Sequence, residues 1–199
     1  MAGFNLLVVN AIYQLSSITY HLFMKLFLIG FMGSGKSHIG QQLAQLLDYL
    51  FIDTDYLLEN TEGSSIAQIF ETRGEVAFRQ FESDTLKGLS KWDNIVVATG
   101  GGAPCFCDNM TYINNSGISI YLKTDPHLLL QRLLPESEKR PLLRGRSEAD
   151  LLLFIESKVA ERTAFYEQAD IIISQNSNEQ DVAQEILAAI YETHLARKN

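Results

Sequence analysis

The stretch LFLIGFMGSGKSHIG, Leu26–Gly40, opens on four apolar residues and then gathers Gly30, Gly33, Gly35, Lys36 and Ser37 before an apolar-periodic segment. Gly30 to Ser37 has the spacing G-x-x-x-x-G-K-[ST]. Glycines there let consecutive backbone N–H groups converge on a phosphate with no Cβ in the way. A helix starting near Lys36 points the positive end of its dipole at the same oxygens. Lys36 adds a mobile full charge for β- and γ-phosphates, and the Ser37 hydroxyl is a ligand for Mg²⁺. A plain glycine-rich turn needs none of this chemistry between a strand and a helix. The stretch reads as a nucleoside triphosphate site.

Around it lies a chain of 199 residues, enough for one well-packed domain. Its 46% apolar and 20% charged residues are ordinary for a globular protein. Sixteen Lys and Arg against 24 Asp and Glu give a formal charge of −8, which argues against a broad nucleic-acid-binding surface. Cys105 and Cys107 are badly spaced for a disulfide and have no further cysteine to complete a metal site. Reduced thiols in a cytoplasmic protein are expected.

The first 23 residues carry no Lys, Arg, Asp or Glu. They lack the basic start of a secretory signal. Asn5, Asn10, Gln14, Ser16, Ser17, Thr19 and His21 interrupt any membrane span. Residues 1–23 are expected to be an N-terminal extension, with Met24 an alternative start, and no membrane association is expected.

From Lys25 onward, β-like runs alternate with helical ones. Strands are expected at 25–30, 49–53, 94–99, 118–122 and 170–174. Helices are expected at 37–48, across 56–90 with breaks at Gly63 and Arg73-Gly74, near 108–115, at 126–134, at 148–168 and at 179–196. This alternation implies right-handed crossovers and a parallel sheet covered on both faces. Ligands then bind at the carboxyl ends of the strands.

Four motifs refine the chemistry. FIDTD ends the second strand with Asp53 and Asp55. Beside Mg·ATP, such carboxylates orient metal-bound water and grip a substrate hydroxyl; equally, either one caps the next helix. RGEVAFRQFE places Arg79 and Glu82 at i, i+3, a surface ion pair or a carboxylate-binding arginine held by its neighbour. VVATGGGAP carries three consecutive glycines that no hairpin explains, and close approach of backbone to a ligand does. EKRPLLRGRS reads as a mobile lid over about 134–147, with Arg140 able to swing over phosphates.

Taken in order, GFMGSGKS, FIDTD, GEVAFRQFE, ATGGG, RPLL and ERTAFYEQAD resemble the shikimate kinase family. The resemblance covers essentially all of residues 24–199 as one P-loop domain. It implies a three-layer P-loop kinase fold, α/β, with a five-stranded parallel sheet, helices on both faces and a mobile lid. It also implies ATP-dependent phosphorylation of the shikimate 3-hydroxyl in the route to chorismate, with Mg²⁺ as cofactor and a monomer as the working unit.

By the family pattern, Gly33, Ser34, Gly35, Lys36, Ser37 and His38 hold ATP, Arg132 lies along the adenine, and Arg140 is the lid arginine. The substrate region is about 54–90. Asp55 holds the shikimate hydroxyls and is the base, while Lys36 and Arg140 share the catalytic work. Asp53 acts on Mg²⁺ through water, with Ser37 a direct ligand. Arg79 and Arg162 clamp the carboxylate, and Gly101 and Gly102 meet the substrate through backbone. For Arg162, Lys158 one turn earlier is mildly repulsive unless an anion intervenes. The chain departs from the family at Thr163-Ala164-Phe165-Tyr166, where a proline is usual, so altered helix geometry is expected there. A related nucleoside-monophosphate kinase and a catalytically silent nucleotide binder are the competing readings.

Overall fold

Past Lys25, strand β1 (Lys25–Ile29) is buried along its whole length, which fits an unbroken apolar run in a sheet covered on both faces. The computed structural model describes residues 24–140, 142–178 and 181–198. The N-terminal extension lies outside the described residues. The remaining elements are helix α1 (Lys36–Leu47), β2 (Leu50–Asp53), α2 (Thr54–Glu62), α3 (Ile66–Gly88), β3 (Ile95–Ala98), α4 (Asn109–Ser116), β4 (Ile118–Thr124), α5 (Pro126–Leu133), α6 (Glu148–Tyr166), β5 (Ile171–Gln175) and α7 (Val182–Lys198). All five strands pair in parallel, in the order β2-β3-β1-β4-β5.

Alternate residues of the strands serve opposite layers, as the period of two requires. Leu26, Leu28, Val96 and Ile120 pack against Leu43 of α1 and Ile186 and Ile190 of α7. Phe27, Ile29, Val97 and Tyr121 pack against Leu86 of α3, Met110 and Ile113 of α4 and Tyr166 of α6. Three layers result. A further cluster joins Phe31 to Leu129 and Leu133 of α5 and to Leu151 and Ile155 of α6, tying the loop after β1 to both helices.

Element ends follow local chemistry. Helix α2 starts at Thr54, earlier than the sequence pattern implies, because the Asp53 side chain accepts from the Asp55 and Tyr56 N–H groups. It stops at Gly63, in the left-handed region. Ser65 and Gln68 form a capping box at the start of α3, which breaks at Gly74 (φ 79°). Strand β4 runs to Thr124, beyond the expected 122, because Lys123 and Thr124 continue the pairing with Ser174 and Gln175. The lid region is less open than its polar sequence implies: Leu134–Lys139 coils as a 3-10 turn, and Leu143 is fully buried. Among the described residues, no helix is long and apolar enough to cross a membrane.

Candidate active site

The loop after β1 bends through Gly30, Gly33 and Gly35, all at positive φ, a conformation that favours glycine. Gly35 then caps α1, whose first turn holds no acidic residue to compete for its N–H groups. Lys36 Nζ donates to the carbonyls of Gly30 (2.8 Å) and Phe31 (2.9 Å), so the lysine braces the loop from inside. Ser34 belongs to the loop's frame. Its side chain is buried, its N–H donates to Phe31 O, and its carbonyl accepts from Gln175 Nε2.

Burial of the Lys36 ammonium pushes its pKa down from 10.5 to about 8; Asp55 and Asp53 pull it up, Arg140 and Arg162 down. The free protein therefore loses this charge as pH rises through about 8. Between pH 7 and pH 9 the affinity for ATP is expected to fall about tenfold, since phosphates bind the protonated form. Calorimetric titration with ATP across that range checks it, and a flat profile contradicts it.

Asp53 caps the next helix, as its sequence position allowed, and also meets the phosphate loop. One carboxylate oxygen caps α2, and the other accepts from Ser37 Oγ at 2.6 Å. Two hard oxygen donors thus meet at the mouth of the loop, a donor set that fits Mg²⁺. Asp55, the second residue of α2, has its pKa raised by burial first and by Asp53 second, against the pull of Lys36.

The three glycines after β3 are explained largely by the protein's own groups. A Cβ on Gly100 would collide with Glu82 Oε1 and with Asp55 Oδ1. On Gly102 it would stand 2.7 Å from Arg79 Nη1, and on Gly101 3.3 Å from the Met32 nitrogen in the phosphate loop. Gly100→Ala is expected to displace the two carboxylates without unfolding the chain. Turnover should drop at least tenfold while ATP affinity stays near normal, because Ala adds only one methyl against movable side-chain ends. Unchanged turnover would show that these carboxylates need not sit there.

Arg79 Nη1 donates to the buried Glu82 at 2.9 Å, and Nη2 to the exposed Glu75 at 3.1 Å. Its guanidinium lies 4.1 Å from the Phe106 ring centre. A buried carboxylate partner makes this more than a surface pair. The Glu82 carboxyl itself is raised by burial, against the pull of Arg79.

Arg162 sits 5.5 Å from the Phe31 ring centre. Lys158 is drawn aside by Glu161 at 2.7 Å, so the anion that relieves its repulsion is the chain's own. Helix α6 runs without a break through Thr163 and Ala164 to Tyr166, so the missing proline brings no interruption of the helix.

A cleft of about 460 Å³ is lined by Gly33, Gly35, Lys36, Ser37, His38, Asp53, Asp55, Gly101, Arg132 and Arg140. Arg79, Gly102 and Arg162 lie outside that lining. Arg140 is paired with Glu136 at 2.8 Å. A second cleft of about 600 Å³ shares Gly35, His38 and Arg132 with the first. There Arg132 donates to Gly33 O, Gln175 Oε1 and Asn178 Oδ1.

Sequence reasoning passed over Gln175, the last residue of β5, and Asn178 just after it, although ligand groups gather at a strand's carboxyl end. It also passed over Thr54 and Thr99, which lace the three strand ends together. Thr54 Oγ1 donates to Ala98 O and accepts from Gly100 N, and Thr99 Oγ1 donates to Leu28 O.

The family model described as shikimate kinase matches residues 32–191. The chain is 40% identical over 149 residues to a shikimate kinase from Bacteroides fragilis, covering 75% of this chain and 83% of that protein. It is similar to the crystal structure of shikimate kinase from Bacteroides thetaiotaomicron (TM-score 0.78, 34% identity, 87% of this chain and 98% of that one). It is also similar to shikimate kinase from Acinetobacter baumannii in complex with shikimate (TM-score 0.76, 34% identity, 92% and 98%).

Proposed function

The chain belongs to the shikimate kinase family, and on that premise we propose how its own residues divide the ATP-dependent phosphorylation of the shikimate 3-hydroxyl. The observation that carries the reading is Gly100–Gly102, whose bare backbone lies between Asp55 and Glu82, the phosphate loop and Arg79.

The N–H groups of the Gly30–Ser37 loop and the first turn of α1 hold the ATP phosphates, with adenine against Arg132 and beside His38. Lys36 leaves its carbonyl partners for the β- and γ-phosphates. Ser37, and Asp53 through water, would hold Mg²⁺, and when bound the ion would offset the charge of the phosphates.

Arg79 and Arg162 grip the shikimate carboxylate from two sides, since a guanidinium meets a carboxylate through paired N–H donors. Gly101 and Gly102 meet the ring through backbone. Asp55 accepts the proton of the 3-hydroxyl as that oxygen bonds to the γ-phosphorus and the bond to the ADP oxygen breaks. Arg140, released from Glu136, covers the phosphates as residues 134–147 close as a lid. The working unit in this reading is one cytoplasmic chain forming a single domain over 24–199.

The test is ADP release by the purified protein with Mg·ATP, with and without shikimate. Release that depends on shikimate and matches phosphorylated product one for one supports the reading; ATP binding with no response to shikimate overturns it. For the clamp, Arg79→Ala and Arg162→Ala are each expected to raise the shikimate KM about 10- to 100-fold and leave the ATP KM near normal. Normal shikimate affinity in both variants removes the clamp.

A further inference from the structure

Tyr166, the last residue of α6, is completely buried. Its ring packs on Tyr121 at 5.0 Å between centres, inside the apolar layer under the sheet. A phenol oxygen in such surroundings is costly unless hydrogen-bonded. Here the hydroxyl donates to the Gly101 carbonyl, 65 positions away in the chain. Arg162 stands one turn earlier on the same face of α6, near enough that its guanidinium pulls against the burial that raises the pKa of this hydroxyl. The Gly101 peptide in turn lies against the phosphate loop, with its missing Cβ 3.3 Å from the Met32 nitrogen and 3.5 Å from Gly30 O.

A phenylalanine would fill this place in the apolar layer as well. The hydroxyl is needed only for the two groups it joins, and both are proposed to meet shikimate. We infer that Tyr166 is a positioning residue for the substrate, its hydroxyl aiming the Arg162 guanidinium and fixing the Gly101 peptide so that the two present one surface. The inference rests on the clamp reading above.

The experiment uses the full chain. Tyr166→Phe is expected to raise the shikimate KM about tenfold, with kcat within about twofold of the original and the ATP KM unchanged. A lowered melting temperature with both KM values unchanged means a purely structural hydroxyl, and overturns the inference.

Arg162→Ala separates this failure from failure of the clamp. If Arg162→Ala leaves the shikimate KM unchanged, the clamp is wrong and the inference falls with it. If Arg162→Ala raises it and Tyr166→Phe does not, only the inference falls. In the double variant, Tyr166→Phe should add little to the effect of Arg162→Ala on shikimate KM. Independent, multiplying effects would show that the tyrosine does not act through Arg162.

Discussion

Lys36→Ala lowers kcat by about a thousandfold or more, while the variant keeps a melting temperature close to that of the original chain. The loss is large because negative charge builds on the leaving β-phosphate oxygen in a loose transition state, and Lys36 is the cation proposed to meet the β- and γ-phosphates. Its present partners, the Gly30 and Phe31 carbonyls, are neutral acceptors 2.8 and 2.9 Å away and are readily exchanged for phosphate oxygens. Arg140 is engaged with Glu136 and belongs to a different segment, so it is a poor substitute. The fold is spared because Lys36 starts a helix whose buried residues are Ile39, Gly40, Leu43 and Ala44. Single-turnover kinetics with saturating ATP and shikimate measure the effect. A rate within tenfold of the original would contradict this role.

Asp55→Asn is expected to lower kcat by about 10²- to 10⁴-fold, with a smaller change in shikimate affinity. Asparagine has the same shape and still hydrogen bonds a hydroxyl, but it cannot take a proton at neutral pH. The place of Asp55 suits a base. Burial and the nearby Asp53 raise its pKa, which strengthens it as a proton acceptor, and Lys36 limits the rise.

The sign follows for pH. A base must be ionised to act, so kcat/KM for shikimate falls as pH drops through the raised value. The acid limb of the profile therefore stands at a higher pH than an ordinary aspartate would give. The variant should have lost that limb as well as its rate. Near-normal turnover, or an unchanged acid limb in Asp55→Asn, assigns the proton to another group.

The alternation of strands and helices, the phosphate loop and the approximate limits of most elements were legible in the chain alone. Those features are written in short-range physics: apolar periods of two and 3.6, glycines at positive φ, and caps within a few residues of helix ends. The order of motifs carried the family resemblance for the same reason, since each motif is a local solution to a local problem.

What only the tertiary structure decided lies between segments. Sequence left Asp53 as either a cap or a site carboxylate. The fold makes it the cap and also joins it to the phosphate loop, because the first turn of α1 brings Ser37 to its second oxygen. From sequence, the glycines after β3 read as a place where backbone closely approaches a ligand, whereas the groups that crowd them in the fold are the protein's own. That the approach is to Asp55, Glu82 and Arg79 follows from where α2 and α3 cross the strand ends.

Arg132 meeting Gln175, Gln175 meeting Ser34, and Tyr166 meeting Gly101 span 43, 141 and 65 positions. Such pairs are set by the strand order β2-β3-β1-β4-β5, which places the ends of β1, β3 and β4 side by side. A residue's propensity and spacing describe its neighbours along the chain. Its partners across the sheet are fixed only when burial of both faces selects one packing for the whole chain.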